Sequence, residues 1–398
     1  QVTLNHWVVG SNPTQPTKVS LWVSGHLTQS LTLNFVTSSE ENHKTEASDS
    51  RRKFLKRIGG FGALIIASYF GGNSLKSKNK NEVNKITSKL PVPKKSLAKP
   101  PIDPASEIPR LTKLITPNSD FFQIDTTAYA PKIDASKWSL QISGLVKQPY
   151  TLTYQDLLKR PLFELDNTLS CVSNPVGGPL ISNARWLGVR LDDLINEAQP
   201  LKNADQVLSS SDDGFSAGFP VSVLDGRDAM VAIGMNGEVL SSEHGYPARL
   251  VVPGLYGYVS ATKWVTKIEL TRFDLKRGYW IERGWSVLAP IKMESRIDTP
   301  LALMKPGMTK IAGVAWAPTE GVGSVEVRID NGKWQKATLG PELAKTTWRQ
   351  WWIDWNATKG NHVLTVRAIN SKGEIQPEEK KDVLPDGAQG WHTVTINI

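Results

Sequence analysis

Cysteine is almost absent from this chain. Cys171 is the single cysteine among 398 residues. With one thiol, the chain cannot form an intramolecular disulfide, a c-type haem attachment or a cysteine-held iron–sulfur cluster. Cys171 is therefore an inert packing residue, a nucleophile or a metal ligand. Inert packing is a common fate, because a free cysteine behaves as a small buried hydrophobe.

Several other catalytic patterns are also missing. The six histidines form no metal-binding pair at helical spacing. The sequence has no Gly-x-Ser-x-Gly elbow, and neither a full P-loop nor a full dinucleotide fingerprint is present. These absences argue against a serine hydrolase and against the common nucleotide-binding enzymes.

The basic charge is concentrated in one stretch. The formal net charge is +9, and eight lysines crowd residues 76–99, where Glu82 is the single acidic residue. Most of the excess is tail charge, so we expect no nucleic-acid partner. We interpret residues 73–105, rich in Lys and Pro, as an exposed linker.

A targeting signal precedes this linker. Arg51 and Arg52 are followed by Phe54-Leu-Lys and by an apolar run over residues 58–70, shorter than the roughly 20 residues that span a bilayer. Residues 50–72 therefore predict a twin-arginine signal and a periplasmic location. No Ala-x-Ala cleavage site follows, which leaves membrane anchoring by this run as the alternative to cleavage. Proteins exported by this route fold around a cofactor before they cross the membrane.

The N-terminal extension, residues 1–49, commits to no fold. It is long for the leader of a signal, and the chain opens on Gln1 instead of methionine. We therefore expect a fragment of a longer protein or an unusual upstream extension, with membrane segments before residue 1 as an open alternative.

Residues 106–285 mix short strands with short helices. Alternating or apolar runs predict strands at 138–144, 163–169 and 248–253, and amphipathic patterns predict helices at 154–159, capped by Thr153, and at 191–198. The elements follow no strict βαβ rhythm, which favours an α+β domain.

Residues 286–398 carry strand patterns alone. Alternation marks runs at 324–335, 362–370 and 391–398, and Asn331-Gly332 predicts a hairpin turn within the first. Strands at this spacing predict an all-β, immunoglobulin-like sandwich. Eight tryptophans lie between Trp285 and Trp391 inclusive, and we assign them to cores and interfaces in preference to ligand stacking.

Two constellations carry chemistry. Cys171 directly follows the strand predicted at 163–169, in a segment that ends in Gly177-Gly178. Further on, His244, Arg249 and Lys263 flank a buried-type strand and a glycine-punctuated loop. Such a set suits a phosphate or an extended polar heterocycle, whereas solvated surface charge is the alternative for any one of the three.

These segments resemble the sulfite oxidase superfamily of molybdopterin-dependent oxidoreductases. The resemblance runs from about residue 106 to the end of the chain. It rests on Cys171-Val-Ser-Asn-Pro-Val-Gly-Gly with Ile181-Ser-Asn-Ala-Arg-Trp-Leu-Gly-Val, on Met235-Asn-Gly-Glu with His244-Gly-Tyr-Pro-Ala-Arg-Leu-Val-Val-Pro-Gly, and on the terminal sandwich. It implies a molybdenum–molybdopterin cofactor, with Cys171 as the catalytic metal ligand.

The resemblance also implies pterin-binding positions and a quaternary structure. The implied cofactor-binding residues are Gln123, Thr126, Asn174, Arg185, His244, Arg249, Ser260, Thr262 and Lys263. The sandwich is similar to the family's dimerisation domain, which implies a homodimer.

The sequence departs from the family members that oxidise sulfite. They carry an arginine just after the Phe-Phe pair, where this chain has Gln123 or Ile124. They also carry a tyrosine two residues before Met-Asn-Gly, where this chain has Ile233. Sulfite is a dianion that needs positive charge, which Arg227 or Lys263 would have to supply.

We therefore expect two-electron oxygen-atom transfer on a small-molecule substrate. The alternatives are a sulfoxide-type reductase of the same superfamily and a non-enzymatic exported binding protein. No fused haem domain is evident, so electrons are expected to pass to a separate cytochrome or quinone-linked partner.

Overall fold

A computed structural model describes residues 90–94, 96–300 and 305–398. The predicted extension at 1–49, the predicted twin-arginine segment at 50–72 and the start of the linker lie outside these residues. The described chain is mostly β-sheet with few helices. Within it, no helix is long and apolar enough to cross a membrane.

The first sheet is mixed. Its strands are β1 Ser139–Gly144, β2 Tyr150–Thr153, β5 Gln206–Ser211, β6 Ser216–Pro220 and β10 Val265–Thr271. They lie in the order β2-β1-β10-β5-β6, and β1 runs parallel to β10. In β1, Leu140 and Ile142 are fully buried while Ser139 and Gln141 are exposed, so the alternation places one face on the core.

The second sheet holds the candidate site. Its strands are β3 Leu162–Ser170, β4 Ile181–Arg190, β7 Met230–Met235, β8 Glu238–Val239 and β9 Arg249–Val251. They lie in the order β3-β4-β7-β8, and β9 pairs with β7. The antiparallel pairing of β3 with β4 reaches Ser170 opposite Ile181, so the loop between these strands begins at Cys171.

The C-terminal part forms two four-stranded antiparallel sheets. One contains β11 Glu294–Thr299, β12 Gly307–Trp316, β15 Thr338–Leu339 and β16 Arg349–Ala357; the other contains β13 Val322–Ile329, β14 Gln335–Lys336, β17 Asn361–Asn370 and β18 His392–Asn397. Buried side chains from both sheets, among them Val325, Trp351 and Leu364, form one hydrophobic core.

The helices are short. The α-helices are α1 Tyr154–Leu158, α2 Leu191–Glu197 and α3 Gly257–Ser260; the 3-10 helices span Pro104–Ser106, Asn118–Asp120, Val221–Val223, Ser242–His244 and Ile281–Arg283. Thr153 caps α1 as predicted, because its hydroxyl accepts a hydrogen bond from Asp156 N while the Asp156 carboxylate accepts one from Thr153 N. The predicted hairpin is also confirmed, since β13 pairs with β14 across residues 330–334.

The C-terminal sheets contribute to the larger core of the preceding sheets. Trp316 and Trp348 belong to the same buried cluster as Trp186. The Trp348 ring nitrogen donates to Leu114 O at 2.9 Å, and its backbone nitrogen donates to the Thr168 hydroxyl at 2.8 Å. Contacts between the two parts therefore fix the position of β3, which leads into Cys171.

The described end of the linker lies along β3. Lys94 N donates to Leu162 O at 2.9 Å, and Leu97 N donates to the Glu164 carboxylate at 2.6 Å. Most of residues 90–102 are exposed, while Leu90 packs against the larger core. Hydrogen bonds to one strand therefore hold this stretch on the surface.

Candidate functional site

Cys171 begins a loop that closes on itself. Cys171 N donates to Leu180 O at 2.9 Å, and Asn174 N donates to Cys171 O at 3.0 Å. Leu180 N in turn donates to the Asn174 side-chain oxygen at 2.8 Å. The residue keeps part of its surface exposed, and burial raises the pKa of the Cys171 thiol, an effect that hydrogen bonds with Ser173 oppose.

Asn174 leaves one buried polar group without a partner. Its side-chain oxygen is used within the loop, whereas its amide nitrogen is buried and makes no hydrogen bond to any described residue. A side chain on Gly178 would lie 2.5 Å from that oxygen, so the loop requires glycine there. An unsatisfied buried donor is costly, and an acceptor atom of a ligand would satisfy it.

Arg249 is a buried cation on β9. The side chain is 5% exposed; its terminal nitrogens donate to His244 O at 3.2 Å and Ala261 O at 3.3 Å. Its guanidinium lies 5.0 Å from the centre of the Trp186 ring. Burial lowers the pKa of Arg249 to about 10, because desolvation disfavours the charged form.

His244 and Lys263 lie beside Arg249. A side chain on Gly245 would lie 3.0 Å from the Cβ atoms of both Arg249 and Lys263, so this glycine lets the two side chains approach each other. His244 Nε2 lies 2.8 Å from Asn118 O, and burial lowers the pKa of this imidazole to about 4. A neutral imidazole therefore donates this hydrogen bond at neutral pH.

Lys263 already has a counter-ion. Its ammonium forms an ion pair with Asp125 and donates to Glu243 O at 2.7 Å. It also lies 4.6 Å from the centre of the Trp264 ring. Burial lowers the pKa of Lys263, and the Asp125 carboxylate opposes that shift.

Helix α3 and the residues after it link the two constellations. A side chain on Gly257 would lie 3.7 Å from Ser170 O, immediately before Cys171. Four residues on, Ala261 O accepts from Arg249. The chain from 257 to 263 therefore runs from the end of β3, next to Cys171, to the Arg249 and Lys263 side chains.

The predicted residues Ser260 and Thr262 form hydrogen bonds within the protein. The Ser260 hydroxyl donates to Leu255 O and Tyr256 O, and the Thr262 hydroxyl bonds to Ser209 at 2.7 Å. Both hydroxyls therefore have partners inside the protein.

Two predicted positions near the Phe-Phe pair are exposed. Gln123 and Thr126 lie on the surface, and the Thr126 hydroxyl is 3.4 Å from Asp213. The structure brings their segment to the site through Asp125, which pairs with Lys263.

The structure does not bring Arg185 into the cationic group. Its guanidinium makes two hydrogen bonds to the Asp166 carboxylate, at 2.9 and 2.8 Å, and one to Ala98 O at 2.7 Å. Successive residues of a strand face opposite sides, so Arg185 points away from the Trp186 ring against which Arg249 packs. Its charge is neutralised across the β3–β4 pair.

Sequence analysis missed four residues of this region. Trp186 supports Arg249, Asp125 pairs with Lys263, and burial together with nearby Glu294 and Cys171 raises the pKa of the Tyr256 phenol. Burial raises the pKa of Glu294 to about 8. Trp186 and Tyr256 lie inside segments that the sequence does single out, whereas no local pattern marks Asp125 or Glu294.

The residues present fit an anionic ligand with several acceptor atoms. Arg249 is buried against backbone carbonyls, and Asn174 offers an unused donor. Among the described residues, no group of three or more His, Cys, Asp or Glu side chains is arranged to hold a metal ion. A metal at Cys171 would therefore take its remaining ligands from a cofactor.

Comparisons with known proteins agree with this fit. Residues 127–280 match the oxidoreductase molybdopterin binding domain family. The chain is 34% identical to the uncharacterized oxidoreductase YuiH of Bacillus subtilis over 152 residues, which cover 38% of this chain and 74% of that protein. It is 26% identical to mitochondrial sulfite oxidase of Mus musculus over 342 residues, 71% of this chain and 62% of the mouse protein.

A solved structure shares the fold. The sulfane dehydrogenase SoxCD of Paracoccus pantotrophus superposes with a TM-score of 0.61 at 23% identity, covering 81% of this chain and 96% of the matched chain. The sequence matches define a molybdopterin-binding oxidoreductase. The chain belongs to the sulfite oxidase superfamily, and its cofactor is molybdenum–molybdopterin.

Proposed function

We propose that this protein catalyses two-electron oxygen-atom transfer on a small-molecule substrate, with Cys171 as the thiolate ligand of molybdenum. One observation carries the proposal: segment 257–263 runs from the end of β3, immediately before Cys171, to the buried Arg249. Cys171 and Arg249 therefore lie near the two ends of one segment, which suits a ligand with a metal at one end and a phosphate at the other.

Each side chain of the site has a separate proposed role in binding the cofactor. Arg249 and Lys263 would hold the phosphate. His244 would donate to the pterin only by giving up its hydrogen bond to Asn118 O. The Asn174 amide nitrogen would donate to an acceptor atom near Cys171. When bound, the cofactor supplies the oxygen-atom transfer itself. The protein orients it and keeps water away from the buried cations, which strengthens their electrostatic interactions.

Reduction of a sulfoxide-type substrate is the second candidate. Ile233 is fully buried at the position of the missing tyrosine. Arg227 pairs with Asp225 at 2.6 Å, and Lys263 pairs with Asp125, so both candidate replacements for the missing arginine already have counter-ions. A neutral sulfoxide needs less positive charge than the sulfite dianion, which favours this candidate over sulfite oxidation.

Other features of the proposal concern organisation and location. The α+β core would bind the cofactor, and the C-terminal sheets would form an immunoglobulin-like sandwich that mediates a homodimer. Arg51 and Arg52 support export by the twin-arginine route to the periplasm, with the apolar run either cleaved or kept as an anchor. Electrons would pass to a separate cytochrome or quinone-linked partner.

The substitution Cys171→Ser tests the proposal. We expect the variant to fold as the wild type does, judged by thermal unfolding, and to lose turnover because a serine hydroxyl is a poor ligand for a soft metal. Turnover is measured with redox dyes in both directions, with sulfite for oxidation and sulfoxides for reduction.

Each outcome of this assay is informative. Wild-type turnover in Cys171→Ser would exclude the cysteine as an essential ligand. In the wild type, sulfoxide reduction that exceeds sulfite oxidation supports the second candidate.

A further inference from the structure

The loop behind Cys171 is fixed from outside by two residues of the C-terminal sheets. Its internal hydrogen bonds join Cys171 to Leu180 and to Asn174, and Gly178 N donates to Pro175 O at 2.8 Å. These bonds close the base of the loop and its last turn. The His392 ring lies against Gly177. The Arg296 guanidinium donates to the carbonyl of Gly178.

His392 packs its ring directly on Gly177. A Cβ atom added at Gly177 would lie 2.2 Å from His392 Nε2 and Cδ2, far inside contact distance. The ring is fixed from its other edge, because Ile297 N donates to His392 Nδ1 at 3.0 Å. Burial, with Arg296 nearby, lowers the pKa of His392 to about 4, so the ring is neutral at physiological pH.

Arg296 holds the neighbouring residue. Its guanidinium donates to Gly178 O at 2.9 Å, to the Thr112 hydroxyl at 2.8 Å and to the Asp298 carboxylate at 2.6 Å. Asp298 also accepts from Thr112 N at 3.0 Å. Two partners outside the loop, Thr112 and Asp298, therefore hold the arginine that donates to Gly178 O.

We propose that His392 is a positioning residue for Cys171, which sets the place of the thiol by holding Gly177 against the C-terminal sheets, with Arg296 as a second anchor. This inference rests on the proposed function, since it gives the position of the thiol a role in catalysis. The C-terminal sheets are then part of the active-site architecture as well as a candidate dimer interface.

A physical reason makes such a support necessary. A metal ligand on a loop must be held within a fraction of an ångström, and side chains from rigid strands do this better than the loop itself. Gly177 has a φ of +76°, a backbone angle that residues with a side chain seldom adopt. The closely packed imidazole also leaves room only for glycine. Displacement of reacting groups by about 1 Å can lower a rate by as much as a hundredfold.

A double-mutant cycle on the cofactor-free protein tests the packing of His392 on Gly177. Gly177→Ala should lower the thermal midpoint through backbone strain and through its clash with the ring. Gly226→Ala is the matched control, because Gly226 has a φ of +89° and no atom within 4 Å of the added Cβ. We expect Gly177→Ala to cost clearly more than Gly226→Ala.

The double variant isolates the contact. His392→Ala should recover part of the midpoint lost in Gly177→Ala, because it removes the clash and leaves the strain. Additive losses from the two substitutions, or equal losses from Gly177→Ala and Gly226→Ala, would overturn the packing of His392 on Gly177.

The positioning role is tested on the holoenzyme with His392→Asn and His392→Phe. The asparagine oxygen keeps an acceptor for Ile297 N but removes the ring from Gly177, whereas phenylalanine keeps a ring and loses the acceptor. We expect His392→Asn to keep its molybdenum content, to lose roughly tenfold in kcat with KM little changed, and to alter the paramagnetic resonance spectrum of the partly reduced enzyme. His392→Phe should retain more of the wild-type spectrum.

The outcomes separate this inference from the proposed function. A wild-type kcat and spectrum in His392→Asn would refute the positioning role even if Cys171→Ser is inactive. If Cys171→Ser keeps wild-type turnover, the proposed function fails, while the thermal cycle still reports whether His392 packs on Gly177.

Discussion

Among the residues of the site, Arg249 is a buried cation. Several ion pairs of the described chain have two exposed partners, and such pairs contribute little. Arg249 differs because it is buried and its hydrogen bonds go to backbone carbonyls. A cation held in this way carries a desolvation cost that an anionic ligand would offset.

Replacement of Arg249 should reduce cofactor binding. We expect Arg249→Ala to retain several-fold less molybdenum and pterin after purification, because it removes the buried cation that we assign to the phosphate. Elemental analysis and the fluorescence of the released pterin measure both components. Arg272→Ala is the control, since Arg272 is exposed and pairs with Asp274 on the surface. Unchanged molybdenum content in Arg249→Ala would contradict the assignment.

At the scale of elements, the local sequence pattern determines where strands and helices form. Predicted strands at 138–144, 163–169 and 362–370 are confirmed as β1, β3 and β17, because alternation or apolar character persists over each run. Boundaries shift by a residue or so at the ends. The strand predicted at 248–253 is confirmed in part, since β9 covers only three of its residues.

The capping residue of α1 should contribute measurably to stability. Thr153→Ala removes the acceptor for Asp156 N and is expected to lower the free energy of unfolding by about 1 kcal/mol. Chemical denaturation measures the loss. Thr153→Ser keeps the hydroxyl and should remain close to the wild type, so an equal loss in both variants would point to the methyl group instead of the cap.

At the scale of the whole molecule, the C-terminal sheets and the preceding sheets share buried residues. Glu294 begins β11, is almost fully buried and raises the pKa of Tyr256, which lies just before α3. Burial raises the pKa of Glu294 itself to about 8 from its ordinary 4.5. The contact region between the two parts therefore contains an acid that stays protonated at neutral pH.

This acid makes stability depend on pH. Between pH 4.5 and 8 the folded protein binds the Glu294 proton more tightly than the unfolded chain does, so the free energy of unfolding falls as pH rises. The slope is about 1.4 kcal/mol per pH unit. His244 and His392, whose pKa values are lowered to about 4 from 6.5, have the opposite slope below pH 6.5. Above pH 6.5 the contribution of these histidines fades, so a comparison of the wild type with a Glu294 variant between pH 6.5 and 8 isolates Glu294.

Replacement of Glu294 by glutamine should remove this slope. Relative to the wild type, Glu294→Gln is expected to gain about 2 kcal/mol between pH 6.5 and pH 8, because glutamine has no proton to lose. Denaturant titrations of the cofactor-free protein at both pH values measure it. The exposed Glu282→Gln serves as control, and a parallel pH dependence in Glu294→Gln and the wild type would contradict the burial argument.

The candidate site was predictable where one segment carries several chemical groups. His244, Arg249 and Lys263 fall within twenty residues and meet around Gly245 in the structure. Arg185 has the right residue type, but its cross-strand partner Asp166 takes its charge. Asp125 and His392 come from distant segments, so no local pattern indicates that they contact Lys263 and Gly177.

Local residue patterns were enough to predict the element types, the lone thiol and the order of the motifs. Periodicity, capping residues and turn residues act over a few positions, and each can be recognised without knowing the fold. The three-dimensional packing was needed to show which cations have counter-ions, which hydroxyls are already bonded and that His392 of β18 lies against the loop after Cys171. These properties depend on contacts between residues far apart in the chain, and packing alone brings such residues together.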